Sequence, residues 1–169
     1  MPPSGWERNS SPEPLKGLAD WVAGQGGLRA PAAVAREAVE SFESRYAIRI
    51  PEDFRLYLLE VAPAEDLWDD AHTIWWPPSR VRNIPDEYEH PIENAAIAAE
   101  ADAYLFFADY MIWCWAWAVC CSDGPNRGKV ACIADPEGFV ADSFTQFVER
   151  YLRDPEAMAK TLPSGGTAD

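Results

Sequence analysis

The chain has 169 residues, enough for one domain with one core, and 48% of them are apolar with eight tryptophans, which excludes a disordered chain. Fourteen Lys and Arg against 28 Asp and Glu give a net charge of −14. That charge repels nucleic-acid phosphates and anionic membranes, and it attracts a basic protein partner.

The opening MPPSGWERNSSPEPL has no basic start followed by an apolar run, so no secretory signal is read. No stretch of about 20 residues is free of charge and polarity, so no membrane span is expected. The chain is therefore expected to be cytoplasmic, with its four cysteines as thiols. Residues 1–14, with four prolines, read as a loose lead-in, and residues 163–169 as a loose tail. A domain spans 15–162 between them.

From Pro31 to Tyr46, Val34, Ala35, Ala38, Val39, Phe42 and Tyr46 share one helical stripe, which predicts an amphipathic helix. Pro51 opens a second helix, PEDFRLYLLEVA, with Glu52 and Asp53 suited to its start. Phe54, Tyr57, Leu58 and Val61 make its main face, and Pro63 ends it. His72 to Trp76 reads as a strand stopped by Pro77 and Pro78, and Val81 to Ile84 as a short extended piece. The run from Glu93, ENAAIAAEADA, has helical propensity.

Leu105–Phe107, Met111–Cys121, Lys129–Ala134 and Phe139–Ala141 read as strands of an antiparallel meander. Asp135–Pro136–Glu137–Gly138 is a turn between the last two. Asp142 or Ser143 caps a final helix, in which Phe144, Phe147, Val148, Tyr151 and Leu152 share a stripe. A short turn follows from Asp154–Pro155 and ends near Leu162. The expected fold is α+β, a mostly antiparallel sheet with N-terminal and C-terminal helices packed on it, in a single domain.

The segment YMIWCWAWAVCC, Tyr110 to Cys121, holds three tryptophans and three cysteines. Read as one strand, it sends Met111, Trp113, Trp115, Trp117, Val119 and Cys121 to one face and small residues to the other. Such a strand is central and covered on both sides. The large face is core or, in the alternative, an aromatic pocket. No C-x-x-C pair occurs, and the adjacent Cys120 and Cys121 face opposite ways, so no metal site is read and the cysteines are expected to be structural.

His72 and His90 stand in separate segments, and neither G-x-S-x-G nor a phosphate-binding loop is present. No catalytic residue and no cofactor is assigned. A hydrolase using His72 or His90 remains the enzymatic alternative. Asp66, Asp69 and Asp70, with Trp68, Trp75 and Trp76, lie in the least regular segment and are the candidate partner-binding residues.

Three segments together resemble the SUKH superfamily, which includes the fungal Smi/Knr cell-wall regulators. They are IPEDFRLYLLEV, then FFADYMIWCWAWAV followed by a glycine loop and KVACIA, then FVADSFTQFVERYL. They span about residues 30–155. Where many members carry a glycine-rich turn, this chain has VAPAEDLWDD. The resemblance implies an α+β domain without catalytic residues. It also implies a protein partner: bacterial members are associated with immunity against polymorphic toxins, and an acidic chain suits a basic toxin domain. A small-ligand binder using the Trp113–Trp117 face is the alternative.

Overall fold

Residues 12–134 and 136–160 are described by a computed structural model. The tail at 163–169 and most of the 1–14 lead-in lie outside them. The first helix, α1, spans Glu13–Gly24, so the last two residues of the lead-in are helical. Helices α2 (Ala32–Arg45) and α3 (Glu52–Glu60) follow as expected from their periodicity. Each begins immediately after a proline, whose fixed φ suits a helix entrance.

Six strands come next: β1 (Leu67–Trp68), β2 (Thr73–Trp75), β3 (Tyr104–Tyr110), β4 (Trp115–Cys120), β5 (Val130–Ala134) and β6 (Gly138–Ala141). They form one sheet in sequence order, and every neighbouring pair is antiparallel. Between β2 and β3 the chain makes two single-turn helices, α4 (Ile84–Glu87) and α5 (Ala95–Ala98). The Ala-rich run from Glu93 thus yields one turn of α-helix, with Asn94 capping it. The extended piece expected at Val81–Ile84 pairs with the sheet by a single bridge from Asn83 to Leu105 among the described residues, and Ile84 already starts α4. Helix α6 (Phe144–Arg153) closes the fold, capped by the Ser143 hydroxyl, which accepts from the Gln146 N–H at 2.9 Å. A 3₁₀ turn, Pro155–Ala159, follows it.

The α+β architecture with helices on an antiparallel sheet is thereby established. One sheet face carries Trp75, Leu105, Phe107, Trp117 and Val119, which pack against Leu15 and Leu18 of α1, Phe54 and Tyr57 of α3, and Phe144 and Phe147 of α6. The rings of Phe54, Phe107 and Phe144 meet with centroids 5.1–5.8 Å apart. Gly17 lets α1 approach α6: a Cβ there would stand 3.1 Å from the Leu152 side chain. The other face carries Ile74, Trp76, Phe106, Ala116, Ala118 and Ile133, and α4, α5 and their connections cover it through Ile84 and Ile97. The stripe of α2 is borne out at Ala35, Val39 and Phe42, whereas Val34 is 46% exposed.

The expected strand Met111–Cys121 is shorter than its apolar pattern. Residues 111–114 form a tight turn, and β4 starts at Trp115. Met111, Ile112 and Trp113 have φ values of 46°, 54° and 65°, in the left-handed region. The alternation of large and small faces holds from Trp115 onward: Trp117, Val119 and Cys121 face the helices, and Ala116, Ala118 and Cys120 face away. Trp113, displaced by the turn, packs on the opposite face from Trp115.

Candidate functional site: the hairpin end of the sheet

The antiparallel order places the β1–β2, β3–β4 and β5–β6 connections at one end of the sheet. Six non-glycine residues among those described have positive φ, and five of them are here: His72, Met111, Ile112, Trp113 and Ala134. Left-handed backbone at such residues costs roughly 1–2 kcal/mol each and persists only where surrounding bonds hold it. Two buried aspartates supply much of that holding.

Asp69 folds the first turn. Its Oδ1 accepts the backbone N–H groups of Ala71 and Thr73 at 2.9 and 3.0 Å. Its Oδ2 accepts the indole N–H of Trp75 at 2.9 Å, that of Trp21 at 3.2 Å, and the Tyr151 hydroxyl. The carboxylate therefore ties the turn to α1 and α6 as well. Burial, with the Asp69 charge beside it, raises the pKa of Tyr151.

Asp109 braces the second turn from the other face. A bulge between Phe106 and Ala108 shifts the phase of β3, so that Phe107 and Ala108 both face the helices and Asp109 turns away. Asp109 Oδ1 accepts the Trp76 indole N–H at 2.7 Å, and Oδ2 accepts the Trp113 backbone N–H at 2.6 Å. Arg80 reaches the same carboxylate at 3.8 Å and lies over the Trp76 ring. The two turns are joined directly, Met111 N–H donating to the His72 carbonyl at 3.0 Å.

This bracing leaves an apolar ridge exposed at the tip, with Ile112 at 73% and Met111 at 45%. A cleft lies on each side of it. On the helix side, Tyr110 and Trp115 stand opposite one another in the β3–β4 register and stack, with centroids 4.4 Å apart and planes 6° apart. Trp117 lies deeper, its indole N–H donating to the Met158 carbonyl at 3.0 Å and fixing the 3₁₀ turn as the facing wall. Asp70, His72, Asp154 and Glu156 complete the lining of this cleft of about 440 Å³. On the opposite side, Trp113 stacks on Tyr88 at 5.4 Å and donates to Glu87 at 3.0 Å. Glu89, His90 and Ala134 line this second, shallower cleft with them. Burial, then Glu137 and Glu93, raises the pKa of Tyr88.

The residues singled out from sequence separate in space. Asp70 lines the helix-side cleft. Trp68 is 49% exposed on the edge strand β1. Asp66 is exposed and pairs with Arg80 at 3.1 Å. Asp69, Trp75 and Trp76 are buried, at 6%, 0% and 0% exposure, so none of them offers a contact surface. Trp75 fills the helix-side core and Trp76 the other, and each indole is held by a buried aspartate. The aromatic face expected over Trp113–Trp117 does not exist as one surface: Trp113 lines one cleft, Trp115 the other, and Trp117 is 2% exposed.

Asp154 and Glu156 escaped the sequence reading; their signal is a pair of acids flanking Pro155 just past the end of a helix. Tyr110 escaped because its partnership with Trp115 depends on a turn between them. His72 and His90 line different clefts, and among the described residues neither side chain hydrogen-bonds a hydroxyl, thiol or carboxylate. Cys120 and Cys121 are buried on opposite faces as expected, whereas Cys114 is exposed in the turn. No cluster of His, Cys, Asp and Glu among the described residues is arranged to hold a metal ion. No helix among them is long and apolar enough to cross a membrane.

No family model matches the chain, and no curated protein matches it.

Proposed function

We propose that this protein is a non-catalytic binding module that uses the hairpin end of its sheet to grip a basic protein. The observation that carries the reading is the arrangement there: an exposed Met111–Ile112 ridge between two clefts, each with a stacked aromatic pair and an acidic lining. An apolar centre with aromatic neighbours supplies affinity, and surrounding carboxylates steer a cationic partner in. The strain concentrated in the turns supports a preformed contact surface, because backbone held by so many bonds loses little freedom on binding.

The resemblance to the SUKH superfamily supports an immunity-type role. In that role the module occludes a basic toxin domain inside the cytoplasm, and no residue performs chemistry. The net charge of −14 is the complement such a partner requires. The small-ligand alternative divides between the two clefts, whose volumes of about 440 and 460 Å³ both fall within the range of ligand pockets.

The test is capture of partners from the host cell on the tagged protein at low and at high salt, with Ile112→Asp run beside the wild type. The proposal predicts one dominant basic protein, retained at low salt, released at high salt and absent from the Ile112→Asp column. A partner that Ile112→Asp retains as well as wild type does places the interface elsewhere.

A further inference from the structure

Among the described residues, the helix-side cleft is lined by carboxylates and an aromatic plate but by no Lys or Arg. Among the described residues, Asp70, Asp154 and Glu156 take part in no ion pair. Asp70 accepts a 3.5 Å contact from the Gln25 side chain, and Asp154 accepts the Glu156 backbone N–H at 3.2 Å. His72 is the one basic residue among the described residues of the lining.

The same chain shows what such a setting holds when it is filled. Arg80 lays its guanidinium over the Trp76 ring, 4.0 Å from the centroid. It donates to Asp66 at 3.1 Å and reaches Asp109 at 3.8 Å. A planar cation thus lies on an indole with carboxylates at its edge. The cleft likewise sets an indole ring, Trp115 in its stack with Tyr110, beside the carboxylates of Asp70, Asp154 and Glu156, in a volume of about 440 Å³ that admits a long side chain from outside.

We propose that this cleft is the receptor for one arginine side chain of the partner protein. The inference rests on the protein-binding reading above and names the chemistry of its anchor. Arginine fits better than lysine for two reasons. Its flat guanidinium stacks on the Tyr110–Trp115 plate and presents a fork of donors to more than one carboxylate, and it sheds water more readily than an ammonium does. Seated there, it becomes the desolvated anchor at the side of the Met111–Ile112 ridge.

The test titrates blocked arginine (N-acetyl-arginine amide) into the full-length protein and follows the tryptophan indole N–H signals by NMR. Trp115→Phe identifies the Trp115 signal. Blocked lysine and blocked norleucine are the comparisons. The expected result is a saturable shift at Trp115 with a dissociation constant in the millimolar range, about fivefold weaker for lysine and absent for norleucine. Asp154→Asn with Glu156→Gln weakens the arginine response about fivefold or more while the remaining indole signals keep their positions. No saturable shift at Trp115, an equal response to lysine, or a response to norleucine overturns the proposal. Salt-sensitive capture of a partner without an arginine response rejects the arginine receptor and leaves the protein-binding reading intact. An arginine response without any partner at the hairpin end rejects the protein-binding reading instead.

Discussion

Tyr110 and Trp115 are the two residues that bracket the four-residue turn at the tip of β3–β4, and they stack face to face at 4.4 Å. Their register makes the turn and the plate one unit, because a slip by one residue would send the two rings to opposite faces of the sheet. Truncating Trp115 to Ala is expected to cost about 2–3 kcal/mol, from lost burial and the lost stack. Trp115→Phe should restore most of that stability in thermal unfolding, yet bind the partner more weakly than wild type.

Neighbouring aspartates in the first turn should behave oppositely. Asp69 is buried and bonded by two backbone N–H groups, two indoles and a phenol, so Asp69→Ala leaves those donors without an acceptor. A loss of about 3–5 kcal/mol is expected in denaturant unfolding. Asp70 is exposed, and Asp70→Asn should change stability by no more than about 0.5 kcal/mol. Its effect should fall on the rate of association with the partner at low salt. Equal destabilisation by both would remove Asp69 from its role as the turn's anchor.

Ile112 sits at φ 54° with 73% of its surface exposed. Glycine there relieves left-handed strain of about 1–2 kcal/mol against a backbone-entropy cost of about 0.5–1 kcal/mol. Ile112→Gly is therefore expected to stabilise the fold slightly while weakening capture of the partner. A stabilised protein that binds as well as wild type would take Ile112 out of the contact surface.

Alkaline pH should unfold the protein cooperatively. Burial pushes the phenols of Tyr57, Tyr104 and Tyr151 above their ordinary value of 10.0. Above pH 10 the unfolded chain releases protons that the folded chain retains, so unfolding becomes easier as pH rises. Each such tyrosine removes up to about 1.4 kcal/mol per pH unit, and the contribution is intact below pH 10. Phenolate absorbance should show three of the six tyrosines ionising only as the fold is lost. All six titrating together with native circular dichroism retained would contradict this.

The helices could be read from sequence where one stripe is apolar and tertiary contacts merely bury it, as at Phe54, Tyr57 and Leu58 or Phe144, Phe147 and Tyr151. The alternation of β4 was readable for the same reason. The turn at residues 111–114 was not. It has no glycine, proline, asparagine or aspartate, and its shape depends on bonds from His72 and Asp109, which lie on other segments or in the preceding strand. Helix α1 was hidden by its glycines, one of which serves contact with α6. Asp69 looked like one member of an acidic surface patch because its donors, Trp21, Trp75 and Tyr151, are scattered along the chain. Half of the proposed contact residues were thereby drawn from the core, and the cleft formed by Tyr110, Trp115, Asp154 and Glu156 becomes visible only when the sheet and the 3₁₀ turn are assembled.

Amide hydrogen exchange of the captured complex, compared with the free protein, tests most directly where this module binds. New protection is expected in the turns at 69–72 and 111–114 and along 154–159, with α2 and the loop at 122–128 exchanging as before. Protection centred on α2 or on the 122–128 loop, with the hairpin end unchanged, would contradict it.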